Sequence, residues 1–93
     1  MSGGTERLDV ALNRLCLTRS RSEAKNACES GAILVDGRPA RPSDLVRAEQ
    51  VITLRFRQRL VDIRLLAVPE RAISKKAAKE MYQVLRDDRL DDT

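Results

Sequence analysis

The stretch from Thr18 to Gly37 restricts the fold of this chain more than any other part of its sequence. Ser20 is a favourable helix N-cap, and Glu23 three residues later completes the pattern of a capping box. An apolar helical face follows, formed by Ala24, Ala27 and Cys28. Gly31 stands where a C-cap glycine is expected. These signals predict a short helix near residues 21–30.

A β-hairpin is predicted directly after this helix. Residues 33–35 have the alternation of a strand, and Asp36-Gly37 is a strong signal for a two-residue hairpin turn. Residues 51–56 are rich in side chains that favour strands, and residues 60–67 alternate between apolar and charged side chains. We expect these segments to lie together in one mostly antiparallel sheet.

Two other segments have the periodicity of a helix. The first lies near residues 7–16, and its apolar stripe consists of Leu8, Leu12 and Leu15. Ser74 can cap the second, near residues 75–86, and the stripe of that helix consists of Ala78, Met81 and Leu85. Residues 87–92 form a mostly acidic tail that is expected to fray.

One small domain is expected from a chain of 93 residues. We divide the chain into a flexible N-terminus at 1–6, a domain at 7–68, and a C-terminal segment at 69–93 with the last helix and the acidic tail. The two helices within the domain need a partner to persist, because both are short. Packing on the sheet supplies that partner, so the predicted fold class is α+β.

The formal net charge of +4 is distributed unevenly. Residues 1–59 contain eleven Lys and Arg against seven Asp and Glu, whereas residues 60–93 contain seven of each kind. Such asymmetry suggests a polyanionic partner for the N-terminal part. A basic surface that is simply solvated is the alternative, and composition alone leaves both open.

The two cysteines do not have the spacing of a metal site, and the chain contains no histidine. We therefore expect no metal and no cofactor. Cys16 and Cys28 each lie on or beside the apolar stripe of a predicted helix, so we expect both thiols to be reduced and largely buried on facing helices. The sequence has no signal peptide and no apolar run of membrane length, which predicts a cytoplasmic protein and no membrane partner.

Basic side chains crowd the start of the helix near residues 21–30. Arg19 and Arg21 flank Ser20, and Lys25 follows one turn later. A helix N-terminus already favours anions through its free N–H groups and its dipole. We therefore expect these four residues to form part of a phosphate-binding surface, with an ion pair between Lys25 and Glu29 as the alternative for the lysine.

Four further arginines are candidates for the same function, and we expect the first of them, Arg7, to share one electropositive surface with the basic start of the helix near residues 21–30. Arg7 and Arg14 share a face beside the apolar stripe of the first helix. Arg38 and Arg41 flank the predicted hairpin. The alternatives are an ion pair with Glu6 or Asp9 for Arg7, a solvated side chain for Arg14, and a soluble sheet edge for the hairpin arginines. We expect Asp9 to hold either Arg7 or a helix-start N–H.

Three motifs follow one another along the first half of the chain: Arg7-Leu8-Asp9, Ser20-Arg21-x-x-Ala24 and Gly31-x-Ile33-x-Val35-Asp36-Gly37. Together they resemble the S4 RNA-binding domain, named for small-subunit ribosomal protein four, over about residues 7–56. The resemblance implies two helices packed on a small bent sheet and an RNA-binding function. Arg7 and Arg21 match the RNA-contacting arginines of the family. Asp36 replaces the family's asparagine, and Ala48-Glu49 replaces its Gly-Asp.

The second half of the chain narrows the resemblance. Residues 54–61 and 76–86 are similar to the small RNA-binding proteins of bacterial ribosome-associated quality control and to a ribosome-associated heat-shock protein of about fifteen kilodaltons. The resemblance implies a non-enzymatic protein that binds rRNA of the large ribosomal subunit and peptidyl-tRNA. It also implies cooperation with a factor that adds an alanine tail to the stalled chain.

Two other functions stay open at this point. RNA-modifying enzymes carry such a domain, but the chain is too short for a catalytic domain and has no Gly-rich cofactor loop. The second alternative is a protein-interaction or DNA-binding regulator. A competition experiment with structured rRNA, double-stranded DNA and single strands would distinguish such a regulator from an rRNA-binding protein. With one Phe, one Tyr and no Trp, the chain lacks an aromatic platform for single-stranded bases, which favours structured RNA.

Overall fold

The computed structural model describes residues 4–56 and 58–89 of the chain. The elements in chain order are β1 (Glu6–Arg7), α1 (Leu8–Arg14), α2 (Arg21–Glu29), β2 (Ile33–Val35), β3 (Arg38–Pro39), β4 (Leu45–Val46), β5 (Val51–Phe56), β6 (Arg59–Leu65), α3 (Lys75–Lys79) and β7 (Tyr82–Arg89). Residues 1–3 of the expected flexible N-terminus and residues 90–92 of the expected acidic tail lie outside the described residues.

The strands form two antiparallel sheets. The larger sheet has five strands in the order β3-β2-β5-β6-β7, and the smaller one pairs β1 with β4. Helices α1 and α2 lie against the larger sheet, and the apolar faces of all these elements form one core. The predicted α+β fold is confirmed, as are both N-terminal helices and the strands within 33–35, 51–56 and 60–67.

Local sequence signals account for the middle of the fold. The Ser20 hydroxyl accepts a hydrogen bond from the Glu23 amide at 3.0 Å, so the predicted N-cap of α2 is present. At the other end of α2, Gly31 has φ of 81°, and the amide of Ala32 donates to the carbonyl of Ala27 at 2.9 Å. This is the Schellman arrangement, which requires the left-handed conformation that glycine adopts without steric cost.

The Asp36-Gly37 turn of the β2–β3 hairpin is also confirmed. Asp36 and Gly37 have φ of 51° and 83°, as a type I′ turn requires. The Asp36 carboxylate accepts a hydrogen bond from the Val51 amide at 3.0 Å, which ties the turn to the start of β5. Pro39 lies on the edge strand β3, where a missing N–H group leaves no sheet hydrogen bond unmade.

The C-terminal helix is shorter than predicted. Helix α3 ends at Lys79, and residues 82–89 are the edge strand β7 rather than the continuation of a helix to residue 86. Tyr82 pairs with Leu65 and Val84 with Ile63, so β7 satisfies the backbone groups along the free edge of β6. A helix of five residues has little stability by itself. Residues 82–89 include side chains that favour strands and lie beside the open edge of β6, so they form a strand and not a longer helix.

Charged side chains reinforce the end of this β6–β7 pair. Arg59 donates two hydrogen bonds to the Asp87 carboxylate, at 2.8 and 2.6 Å. This bond lowers the pKa of Asp87 below its usual value. The part of the acidic tail that the structure describes, Asp87 and Asp88, is therefore an ordered strand and not a frayed end.

The prediction that Cys16 is buried is wrong. Helix α1 ends at Arg14, and the amide of Leu17 donates back to the carbonyl of Leu12 at 3.0 Å. This ending gives Cys16 φ of 60°, so it occupies the left-handed position that glycine usually takes. The reversal of the chain carries the thiol out of the helical stripe into solvent, whereas Cys28 is buried as predicted.

The two thiols should therefore differ strongly in reactivity. Burial, with a smaller contribution from Asp9, raises the pKa of Cys28 to about 11, so its thiolate is scarce at neutral pH. In native protein at pH 8, we expect a disulfide reagent to modify one thiol rapidly and the second only on unfolding. Cys16→Ser should remove the rapid phase, and Cys28→Ser should leave it intact. Two rapid phases in native protein would show that Cys28 is accessible.

Candidate nucleic-acid interface

A turn at residues 41–44 packs over the start of α1. The amide of Leu8 donates to the carbonyl of Asp44 at 2.8 Å, and the amide of Asp9 donates to the carbonyl of Pro42 at 3.1 Å. The pairing of β1 with β4 fixes the same contact from the other side. These bonds use the first free N–H groups of α1 and bring the turn beside Arg7.

Asp9 lies at the centre of this region, and its side chain is only 5% exposed. Its Oδ1 accepts hydrogen bonds from the amide of Val10 at 2.7 Å and from Nε of Arg7 at 3.2 Å. Its Oδ2 accepts from Nη2 of Arg7 at 3.1 Å and lies 3.7 Å from Nη2 of Arg21. The expectation that Asp9 holds Arg7 or a helix-start N–H is confirmed, because the carboxylate does both.

A cleft opens in front of this carboxylate, between α2 and the turn at residues 41–44. Its lining residues are Arg7, Asp9, Arg21, Ser22, Lys25, Glu29, Arg41, Pro42 and Ser43. Four of these side chains are cationic and two are anionic, so the cleft has a positive net charge. We call it the basic cleft. Its shape and charge suit a phosphate-bearing ligand.

Arg7 and Arg21 remain available to a ligand although both contact Asp9. The side chains of Arg7 and Arg21 are 47% and 57% exposed. Arg7 uses Nε and Nη2 toward Asp9, and Nη1 of the same guanidinium is left to donate outward. The alternative for Lys25, an ion pair with Glu29, is not formed among the residues that the structure describes.

The structure places the other four sequence candidates outside the basic cleft. Arg14 donates to the Glu6 carboxylate at 2.9 Å and to the carbonyl of Pro69 at 3.1 Å, so it ties β1 to the segment after β6. Arg38 lines a separate recess at the β2–β3 hairpin. Neither side chain lines the basic cleft. Arg14 is also not simply solvated, because its guanidinium donates hydrogen bonds to Glu6 and Pro69.

The start of α2 does not present one surface with all its basic residues. Arg19 lines another recess, together with Lys75, while Arg21 and Lys25 face the basic cleft. The hydroxyl of Ser20 accepts the capping hydrogen bond of α2. The expected single surface of Arg7, Arg19, Ser20, Arg21 and Lys25 is therefore divided, because the N-cap residue is the point at which the chain turns into the helix.

Sequence reasoning missed two hydroxyl groups of the basic cleft, those of Ser22 and Ser43. Ser22 immediately follows the Arg21 motif position, so the motif itself was a usable signal. Ser43 reaches the cleft only because the turn at residues 41–44 packs on α1. No spacing within the sequence indicates that long-range contact.

Two other kinds of site are absent from the described residues. No helix among them has the length and apolar character to cross a membrane. Within the same residues, no group of three or more His, Cys, Asp or Glu side chains is placed to hold a metal ion.

Comparison with known proteins agrees with the arrangement of these elements. A family model of the S4 domain matches residues 6–52. Two relatives bear the name RQC P-site tRNA stabilizing factor. The protein from Listeria innocua is 34% identical over 89 residues, and that from Listeria monocytogenes is 33% identical over 89 residues. Each alignment covers 96% of both chains.

The fold has a solved counterpart as well. The trimeric structure of Vibrio cholerae heat shock protein 15 superposes with a TM-score of 0.80 and 27% sequence identity. The superposition covers 87% of this chain and 82% of that one. All the residues that line the basic cleft lie within the stretch that the family model matches.

Proposed function

This chain belongs to the S4 domain family, and from that membership we propose that it is a non-enzymatic RNA-binding protein of the large ribosomal subunit. In this proposal it binds rRNA and the peptidyl-tRNA that a stalled ribosome leaves on the large subunit. Its role is to hold the tRNA while a factor of ribosome-associated quality control extends the stalled chain with alanine. The name of its relatives, RQC P-site tRNA stabilizing factor, supports this role.

One observation carries the proposal: Arg7 and Arg21 converge on the buried Asp9 at the mouth of the basic cleft. Guanidinium groups bind phosphate through paired, charge-assisted hydrogen bonds. Lys25 and Arg41 add two further positive charges to the same cleft. A phosphate backbone that passes through the cleft would therefore meet four cations from three separate parts of the chain.

The mode of recognition follows from the side chains in the cleft. None of its lining residues is aromatic, so stacking on splayed bases is not the basis of binding. Arginine, lysine and serine side chains contact phosphates and 2′-hydroxyl groups, which report the shape of structured RNA and not its sequence. Binding should therefore depend on the fold of the RNA and on salt concentration.

Arg21→Ala is the direct test. Loss of one well-formed phosphate contact should cost on the order of 1–3 kcal/mol, which corresponds to roughly tenfold or more in affinity. The slope of log affinity against log salt concentration should become shallower by about one unit, because one phosphate contact is lost. The measurement is co-sedimentation with purified bacterial large ribosomal subunits, with and without bound tRNA, over a salt series.

Arg86→Ala is the matched control, because Arg86 is an exposed arginine of β7 that does not line the basic cleft. Circular dichroism should show that both variants are folded. The proposal fails if folded Arg21→Ala binds as tightly as the unchanged protein, or if Arg86→Ala loses as much affinity. Equal competition by double-stranded DNA would instead indicate a general nucleic-acid-binding regulator.

A further inference from the structure

We propose that Asp9 is a positioning residue for RNA binding: its buried carboxylate fixes Arg7 and Arg21 as a pair, so that removing this negative charge weakens the binding of a polyanion. The inference rests on the function proposed for the basic cleft. It concerns a residue that does not itself contact RNA in this proposal, since its side chain lies beneath the two guanidinium groups and is 5% exposed.

Both carboxylate oxygens of Asp9 are engaged, which fixes their orientation. Oδ1 is held by the Val10 amide at 2.7 Å and by Nε of Arg7 at 3.2 Å. Oδ2 receives Nη2 of Arg7 at 3.1 Å and faces Nη2 of Arg21 at 3.7 Å. The bond to the Val10 amide anchors the carboxylate to the backbone, so the two arginines are positioned relative to α1 and not only to each other.

Stability of the helix alone does not explain the burial of this carboxylate. An aspartate in the first turn of α1 would interact favourably with the helix dipole while remaining solvated. Burial costs desolvation free energy that only its partners offset. Here those partners are one backbone amide and two arginines, and both arginines extend from the buried carboxylate into the cleft at roughly half exposure.

The contacts with Asp9 leave other N–H groups of each guanidinium free to donate to a phosphate. Arg7 directs its Nε edge toward Asp9, so its Nη1 group can donate to a phosphate in the cleft. The contact of Arg21 with Asp9 is an ion pair at 3.7 Å, which is too long for a hydrogen bond and leaves the donors of Arg21 free. Long side chains that are already ordered lose less conformational entropy when RNA binds.

If only electrostatics mattered, removing the Asp9 charge would have the opposite effect on RNA affinity. The direction of the change in affinity therefore distinguishes the two explanations. Asp9→Asn raises the net charge of the basic cleft by one, so electrostatics alone would tighten RNA binding. If Asp9 positions the arginines, the same substitution should weaken binding to large ribosomal subunits by roughly fivefold to tenfold, because two long side chains must then be ordered on binding.

Glu29→Gln is the matched control. Glu29 lines the same cleft, and among the described residues it forms no ion pair with an arginine. Its substitution removes one negative charge without releasing a guanidinium. Binding of Glu29→Gln to large subunits should therefore be tighter than that of the unchanged protein, as the charge change predicts, whereas Asp9→Asn should bind more weakly at every salt concentration.

A double-mutant cycle separates positioning from a merely structural role. In an Arg7→Ala/Arg21→Ala background, Asp9 has no arginine left to position, so Asp9→Asn should no longer weaken binding. Any weakening by Asp9→Asn that does not act through the two arginines would persist in that background. An independent readout is the Nε–H proton of Arg7 in NMR spectra, which should exchange slowly in the unchanged protein and in Glu29→Gln, and rapidly in Asp9→Asn.

The outcomes distinguish this inference from the function on which it rests. If Arg7→Ala/Arg21→Ala binds large subunits normally, the proposed function fails. If that variant loses binding but Asp9→Asn binds as tightly as the unchanged protein, only the positioning role fails. Rapid exchange of the Arg7 Nε–H proton in the unchanged protein would also overturn the positioning role, and this measurement does not depend on whether any variant folds.

Discussion

Arg7→Ala/Arg21→Ala should weaken binding to large ribosomal subunits by about a hundredfold or more. Each arginine is expected to contribute on the order of 1–3 kcal/mol when it makes a paired contact with phosphate, and the double variant loses both contacts. The slope of log affinity against log salt concentration should become shallower by about two units. The measurement is co-sedimentation over a salt series, as for the single variant.

Two control variants distinguish the loss of specific phosphate contacts from a general loss of positive charge. Arg64→Ala/Arg86→Ala removes the same formal charge from exposed strand positions outside the basic cleft and should change affinity far less. Arg7→Lys/Arg21→Lys keeps the charge but loses the planar paired donors, so its affinity should fall between those of the unchanged protein and the alanine variant. Equal losses in both alanine pairs would show that only net charge matters.

The double variant has a consequence for stability that must be measured alongside binding. Removing both arginines leaves the Asp9 carboxylate buried with only the Val10 amide as partner. An uncompensated buried charge is strongly destabilising. Adding Asp9→Asn should restore stability to the double variant without restoring RNA binding, which separates a loss of the binding surface from a loss of the fold.

The central part of the fold could be predicted because its signals are local. The N-cap at Ser20, the C-cap at Gly31 and the turn at Asp36-Gly37 each depend on residues within a few positions of one another. The apolar periodicities of α1 and β5 likewise correspond to faces that the structure buries. Where local preference and tertiary packing agree in this way, sequence reasoning is sufficient.

The errors arose where a distant contact overrides the local pattern. The apolar stripe of Ala78, Met81 and Leu85 fits a helix, but the open edge of β6 offers backbone partners to residues 82–89. In the turn before β5, Ala48-Glu49 replaces the family's Gly-Asp, and Glu49 takes φ of 79° while its amide donates to the carbonyl of Leu65 at 2.7 Å. Cys16 is exposed for a related reason, since the helix before it ends with a non-glycine residue in the left-handed conformation.

The site could be predicted only in part, for the same physical reason. Arg7 and Arg21 were recognised from the family motifs, but their convergence depends on a buried carboxylate that reaches both. Arg41 enters the basic cleft because the carbonyl groups of Pro42 and Asp44 accept hydrogen bonds from the start of α1. A charge pattern shows which residues are basic, and the packing of loops on helices decides which of them act together.

Leu12→Ala should produce the largest loss of stability among the substitutions considered, about 2–5 kcal/mol in the free energy of unfolding. The Leu12 side chain is 0% exposed within the single core that joins α1 to the sheet. Truncation removes buried methyl groups and leaves a cavity that neighbouring helices and strands can fill only partly. Because small domains are stable by only about 5–15 kcal/mol in total, the variant should unfold at a much lower urea concentration.

Leu45→Ala makes the same chemical change on the surface, since Leu45 is 62% exposed on the short strand β4. Its effect should stay within about 0.5 kcal/mol. Urea unfolding followed by circular dichroism gives both values from the midpoints, provided that the slopes of the two transitions agree. The basic cleft is built around α1 and α2, because Arg7 precedes α1, Arg21 begins α2 and the turn that contains Arg41 packs on α1. Loss of RNA binding by Leu12→Ala should therefore follow its unfolded fraction. Equal destabilisation by the two substitutions would mean that α1 does not pack through Leu12.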